Sequence, residues 1–327
     1  MAKTNRRKRH RILALFAAGA VGLVVVLIVA IVIVVLRRPD APPTAIPPTA
    51  LPPTAGVPPT SKPRPEFQDA SCPDVQLISI PGTWESSVAL DPFNPVQFPA
   101  ALLLNVTNPI RGQFDNQRLE VFTVPYTAQF HNPLSADRQM SYNDSRAEGT
   151  RAAVKAMTDM NNRCPLTSYV LIGFSQGAVI VGDVASQIGN NAGPIDPERL
   201  LGAVMIADGR RENGVGVNPG ADVTGVGAEI AMQPLQRVVS AATPGATMTG
   251  PRPGGFGAVA DRAIEICAPD DAVCDAPQGV GNAIGRARDL VAANGNHAMY
   301  ATNPAVIPGT TVPEWTVAWI RDQIERS

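Results

Sequence analysis

One short string limits the possible folds of this chain more than any other: Gly173-Phe174-Ser175-Gln176-Gly177, set between an apolar run at 169–172 and a helix-compatible pattern that begins at Gln176. A strand that becomes a helix within so few residues brings neighbouring backbones close together. Glycine two positions either side of the serine removes the Cβ atoms that would clash there. Such a turn is a nucleophile elbow, and it lifts its serine above a sheet. The sequence supplies the rest of that sheet. Candidate strands lie at 75–80, 119–124, 169–173, 200–207 and 263–268, several apolar throughout, as strands covered on both faces should be. Helical spacing at 144–161, 176–188 and 313–326 alternates with them, which implies a parallel sheet with helices on both faces. At 327 residues, 45% hydrophobic and 17% charged, the chain has enough apolar material for such a core.

Residues 208–258 break the alternation with eleven glycines and several prolines. That composition reads as a mobile loop system, serving either as a flap beside the site or as a surface insertion.

Charge is unevenly distributed. Residues 1–38 hold eight of the 27 Lys and Arg and no acid, leaving 19 basic against 28 acidic groups beyond them, a net of −9. An acidic main domain argues against a nucleic-acid partner. Residues 1–11 form a basic tail expected in the cytoplasm, and 12–36 contain no charged side chain. Twenty-five apolar residues in a helix, at ~1.5 Å rise each, exceed a bilayer's ~30 Å hydrocarbon core, so 12–36 reads as a transmembrane helix with everything after it outside. A cleaved signal, giving a secreted form, is the alternative reading. Residues 39–65 repeat Pro-Pro-Thr every five or six positions and read as an extended spacer reaching roughly 80 Å. Residues 66–327 remain for one large α/β domain.

Serine needs a base, and the chain offers His10, His131 and His297. His10 falls in the cytoplasmic tail and His131 precedes the elbow, a loop histidine without a catalytic part. Hydrolases of this type run in the order serine, acid, histidine, which only His297 satisfies. The acid must then lie between Ser175 and His297. Asp270, Asp271 and Asp275 compete for the role, in or beside a stretch bracketed by Cys267 and Cys274 just after a candidate strand. Spacing does not separate the three. Outside the membrane the cysteines are free to oxidise, and four of them allow three pairings. No CxxC pair suggests a metal site, and no Gly-x-Gly-x-x-Gly sits between a strand and a helix to hold a dinucleotide.

With these residues in place, 72–300 resembles the cutinase family of serine esterases. The family's Gly-Tyr-Ser-Gln-Gly appears as Gly173 to Gly177, Cys164 stands eleven residues before the serine, and Cys-x-x-x-Asp-x-x-Cys is matched from Cys267 to Cys274. The resemblance implies an α/β-hydrolase, cutinase-like three-layer fold around a parallel five-stranded sheet. It implies Ser175, Asp271 and His297 as the catalytic residues, Thr83 and Gln176 as the oxyanion hole, and disulfides Cys72–Cys164 and Cys267–Cys274. It implies no metal or organic cofactor. Anchor and spacer are similar to those of membrane-tethered actinobacterial cutinase-like proteins, which implies an extracytoplasmic hydrolase at the cell membrane. Long-chain acyl esters of envelope lipids would be its substrates, with carboxylesterase, phospholipase A or thioesterase activity, and an envelope glycolipid a possible partner. An acyltransferase using the same acyl-enzyme and a non-catalytic envelope-binding module are the alternatives.

Overall fold

Alternation along the strands builds two cores from one sheet. The computed structural model describes residues 65–131, 138–278 and 294–327. In chain order the elements are β1 (Val75–Ile80), α1 (Leu104–Arg111), β2 (Leu119–Thr123), α2 (Tyr142–Arg163), β3 (Ser168–Phe174), α3 (Gln176–Gly189), β4 (Leu200–Ile206), α4 (Ala228–Ala231), α5 (Gln236–Ala242), β5 (Ala263–Ile266), α6 (Asn294–His297) and α7 (Val312–Arg326). The strands pair in the order β2-β1-β3-β4-β5, and every pair is parallel. Successive side chains point to opposite faces. Ile78, Ile80, Tyr169, Leu171, Ala203 and Met205 therefore meet α2 and α3, while Val75, Leu77, Val170, Ile172, Val204 and Ile206 meet α1 and α7. The result is a three-layer α/β/α domain.

All five expected strands form, and the three expected helices form one to four residues longer. Ser141 caps α2 by accepting the Asp144 N–H. Thr311 and Glu314 close a reciprocal capping box on α7, with a proline in its first turn, the local chemistry that starts a helix. Sequence periodicity missed α1, because Pro109 inside it reads as a breaker; burial of Val106 and Ile110 against the sheet holds it helical nonetheless.

The segment 208–258 differs from the expected mobile loop. It contains α4 and α5, and Val217 pairs with β5, its N–H reaching Ala263 O at 2.8 Å, so the sheet edge is covered. It is pinned to the helical layer through Asp183 on α3, which accepts from Arg146 of α2 and from Arg210 and Arg252 of the segment. Burial alone would raise the Asp183 carboxyl, but Arg252, Arg146 and Arg210 together hold it below its ordinary value.

Two disulfides are present, Cys72–Cys164 and Cys267–Cys274. The expected transmembrane helix at 12–36, the tail at 1–11 and most of the spacer at 39–65 lie outside the described residues. Among the described residues no helix is long and apolar enough to cross a membrane.

Topology singles out one place for a site. The chain leaves β1 for β2 on one side and returns through α2 to β3 on the other, so the crevice beyond the carboxyl ends of β1 and β3 is a switch point, where open α/β sheets bind ligands. Thr83 follows β1 there, and Ser175 follows β3.

Candidate active site

Both elbow glycines are forced by backbone contact. A Cβ on Gly173 would stand 2.3 Å from Gly177 O, and one on Gly177 would stand 2.0 Å from Ile80 O on β1. Between them Ser175 adopts φ 54° and ψ −119°, a conformation that non-glycine residues hold only under constraint. Its N–H donates to Ile206 O at 2.9 Å, which ties the turn to β4.

Ser175 Oγ lies 2.9 Å from His297 Nε2, and His297 Nδ1 lies 2.9 Å from Asp271 Oδ2. These three residues, up to 122 positions apart, are thus brought into one hydrogen-bonded chain. Asp271 is fully buried, and its Oδ1 accepts the Val273 N–H at 3.0 Å. Of the two competing acids, Asp275 accepts the N–H of Gly225 on one oxygen and that of Asp270 on the other, and Asp270 stands exposed with a positive φ of 63°. His131 stays outside the chain, with its backbone N–H on Met140 O.

Thr83 follows β1, and Gln176 opens α3 directly after Ser175. Among the described residues, neither backbone N–H has a protein acceptor, so both remain available as donors. The Gln176 side chain is buried and committed, accepting from Ser145 Oγ at 2.9 Å and donating to Gln129 O at 3.3 Å. Beside Thr83, the Glu85 carboxylate accepts the N–H groups of Gly82 and Leu102, both at 2.9 Å, which curls residues 82–85 into a turn. Burial raises the Glu85 carboxyl above its ordinary value, opposed by those two N–H groups and by His297.

Several contributors had no signal in the sequence. Tyr300 donates its hydroxyl to Asp271 Oδ2 at 2.7 Å, the same oxygen that faces His297, and accepts the Ala268 N–H at 2.9 Å. Burial, reinforced by the Asp271 charge, pushes its phenol well above the ordinary value, so it stays a donor. Phe174 stacks against the His297 ring at 5.1 Å. The loop carrying Asp271 is clamped by the expected Cys267–Cys274 bridge, and, with no signal in the sequence, it is braced from the 208–258 segment: Arg211 donates to Cys274 O at 2.9 Å, Val226 pairs with Ala276, and Ala228 N–H reaches Val273 O. Among the described residues no cluster of His, Cys, Asp and Glu is arranged to hold a metal ion.

A parallel sheet that presents a serine on a strand-to-helix elbow, in line with an imidazole and a buried carboxylate, is the architecture of a serine hydrolase of the α/β type. The cutinase family model matches residues 71–300. The Carboxylesterase Culp6 homolog of Corynebacterium glutamicum is 49% identical over 266 residues, covering 81% of this chain and 86% of that protein. Cutinase 11 of Verticillium dahliae is 34% identical over 91 residues, 25% of this chain and 31% of that one. Among solved structures, the catalytic core domain of acetyl xylan esterase from Trichoderma reesei covers 77% of this chain and 99% of its own, at 19% identity and a TM-score of 0.46. The chain belongs to the cutinase family and is a serine carboxylic ester hydrolase.

Proposed function

We propose that the chain is a membrane-tethered hydrolase that cleaves long-chain acyl esters of envelope lipids outside the cytoplasm, through an acyl-enzyme on Ser175. One observation carries the mechanism: the unbroken 2.9 Å contacts from Ser175 Oγ through His297 to Asp271, next to two backbone N–H groups that have no acceptor among the described residues. Ser175 Oγ attacks the ester carbonyl as His297 Nε2 takes its proton. The N–H groups of Thr83 and Gln176 receive the developing oxyanion, a contribution of about 2.7–4 kcal/mol for each such donor. His297 then protonates the departing alcohol, and a water molecule activated by the same nitrogen releases the acid. Asp271 fixes the imidazole tautomer and stabilises the imidazolium.

The tether rests on the sequence: six basic residues before the apolar run 12–36, then the proline-rich 39–65. Two disulfides suit an oxidising compartment, which supports an extracytoplasmic domain. The ester class is supported by the relative named a carboxylesterase. Long acyl chains are supported by the likeness to the tethered branch of the family.

The test is hydrolysis of p-nitrophenyl esters of graded chain length, then of phospholipid, by the native protein and by Ser175→Ala. The native protein should turn over long chains, and the variant should lose on the order of 10⁴-fold or more in kcat while remaining folded. A folded Ser175→Ala protein with native activity removes the mechanism. Activity confined to acetyl esters removes the lipid substrate. Acyl transfer to an added glycan acceptor in preference to water would favour the acyltransferase reading.

A further inference from the structure

At the β5 edge of the sheet, the segment that follows β4 lies against β5 and leaves a cleft of about 470 Å³. Small-molecule sites are commonly of that size. None of its lining residues belongs to the chain from Ser175 to Asp271 or to the two oxyanion donors. Two of them are ionisable and buried: Arg211 of the segment and Glu265 of β5, each 3% exposed. A buried charge ordinarily meets an opposite one. Arg211 does not. Its Nε donates to Cys274 O and its terminal nitrogens to Asn213 Oδ1 and Gly225 O, all uncharged acceptors, and it forms no ion pair among the described residues. N–H donors on both terminal nitrogens are left unspent.

Glu265 is also incomplete, since its Oε1 has no hydrogen-bond partner among the described residues. Glycine keeps the space beside it: a Cβ on Gly216 would stand 2.9 Å from Glu265 Cγ and 3.0 Å from Oε2. Burial and the Asp208 carboxylate push the Glu265 carboxyl up to about 8, against the pull of Arg252, Arg211 and the Gly216 N–H. At neutral pH it therefore keeps its proton and is a donor. Asp208 is itself paired with Arg252. The side-chain amides of Asn213 and Asn218 are spent on Thr224 O and Ala221 O. Asp222 brings the one remaining charge, at the exposed mouth where water screens it. The interior thus offers donors and one uncompensated positive charge.

We propose that this cleft binds a small organic carboxylate, one oxygen on the Arg211 guanidinium and the other facing the Glu265 carboxyl. Water entering the cleft answers the orphaned Glu265 oxygen but not the guanidinium charge, and a neutral ligand shares that shortfall. A phosphate dianion brings one negative charge more than Arg211 balances. A carboxylate matches the single charge, and its two oxygens match the two donors, through charge-assisted hydrogen bonds. The volume leaves room for a short carbon body beside Val223. This site is separate from the one that cleaves esters, and it stands whether or not the lipid substrate does.

The test is isothermal titration calorimetry of the full chain with butyrate at pH 7, which should show saturable binding. Butyramide, its uncharged counterpart, should bind about tenfold more weakly or worse, and inorganic phosphate should also bind more weakly than butyrate. Thr224→Trp sets a large side chain at the exposed mouth and should lower butyrate affinity about tenfold or more. Between pH 7 and pH 9 the affinity of the native protein should fall about tenfold, because Glu265 ionises across that range and then repels the anion. Glu265→Gln offers an amide N–H in place of the acid O–H, so its affinity should hold within about twofold over the same range. A merely structural role for Glu265 would not flatten that profile. Absence of saturable binding, butyramide or phosphate binding as tightly as butyrate, undiminished binding by folded Thr224→Trp, or equal pH dependence in the native protein and Glu265→Gln overturns the proposal. If circular dichroism shows Thr224→Trp to be misfolded, Thr224→Tyr decides in its place, and unchanged affinity again overturns it.

Discussion

The two sides of the candidate site are held in different ways. On the serine side, position is set within one strand-to-helix turn: Ser175 sits between glycines whose missing Cβ atoms let three stretches of backbone meet. On the acid and histidine side, position is assembled from segments distant in the chain. Asp271 depends on a disulfide, on Tyr300 29 residues away, and on Arg211, which holds Cys274 across 63 residues. The first side is rigid because nothing else fits, and the second because many contacts agree. Damage should therefore be abrupt on the serine side and graded on the other.

The largest effect is expected at Gly177. Gly177→Ala drives a methyl group to 2.0 Å from Ile80 O and 2.5 Å from Pro81 O, backbone atoms of the strand and turn that lead to Thr83. Overpacking of this kind costs about 1–3 kcal/mol where side chains give way, and more where backbone must move. Urea unfolding should show a loss at or above that range, together with loss of esterase activity. A variant of native stability and activity would mean that the elbow is not closed by backbone contact.

The disulfides separate global from local support. Closing 92 residues of separation, Cys72–Cys164 constrains the unfolded chain more than Cys267–Cys274 with its separation of 7. Chain-entropy arithmetic gives about 4–5 kcal/mol for the first and about 2–3 kcal/mol for the second. Paired Cys→Ser variants should therefore cross over. Loss of Cys72–Cys164 should cost more stability and spare kcat, whereas loss of Cys267–Cys274 should cost less stability and lower kcat by loosening Asp271. Equal kcat in the two variants would show that the short disulfide does not position the acid.

This asymmetry also explains what the sequence discloses. The elbow, the five strands and the order of Ser175 and His297 were legible because each depends on neighbours in the chain or on apolar runs. Asp271 was separable from Asp270 and Asp275 only by family likeness, since what distinguishes them physically is that Asp271 is buried against His297, Asp270 is exposed, and Asp275 is spent on Gly225 and Asp270. Tyr300, Arg211 and Glu85 gave no signal, because their parts exist only once distant segments meet. The segment 208–258 misled for a related reason. Its glycines suggested freedom, yet a Cβ on Gly227 would stand 2.2 Å from Gly209 O, so that glycine serves close packing.

Tyr300→Phe is the next step down. It removes one hydrogen bond to Asp271 and leaves the buried Ala268 N–H without its acceptor, for about 1–2 kcal/mol of stability. A residue that acts by orienting the acid should lower kcat several-fold to about tenfold and leave KM unchanged. If KM rises while kcat holds, the hydroxyl acts on substrate binding and not on Asp271.

The smallest effect on activity lies beneath the acid loop, at Glu265 on β5. Burial and the neighbouring Asp208 carboxylate push its pKa up to about 8, against the pull of Arg252, Arg211 and the Gly216 N–H. Its Oε1 has no hydrogen-bond partner among the described residues. The folded protein therefore holds a proton that the unfolded chain releases near the ordinary value of 4.5. Between those two values the folded state binds more protons, so stability must fall as pH rises and level off above 8. Glu265→Gln keeps the shape of the protonated acid and abolishes the titration. Its unfolding midpoint should match the native protein near pH 4, exceed it by a growing margin toward pH 8 and by a constant one above that, with esterase activity nearly unchanged. Parallel stability curves across that range would mean that Glu265 is ionised in the folded protein, and that Arg252 and Arg211 outweigh burial.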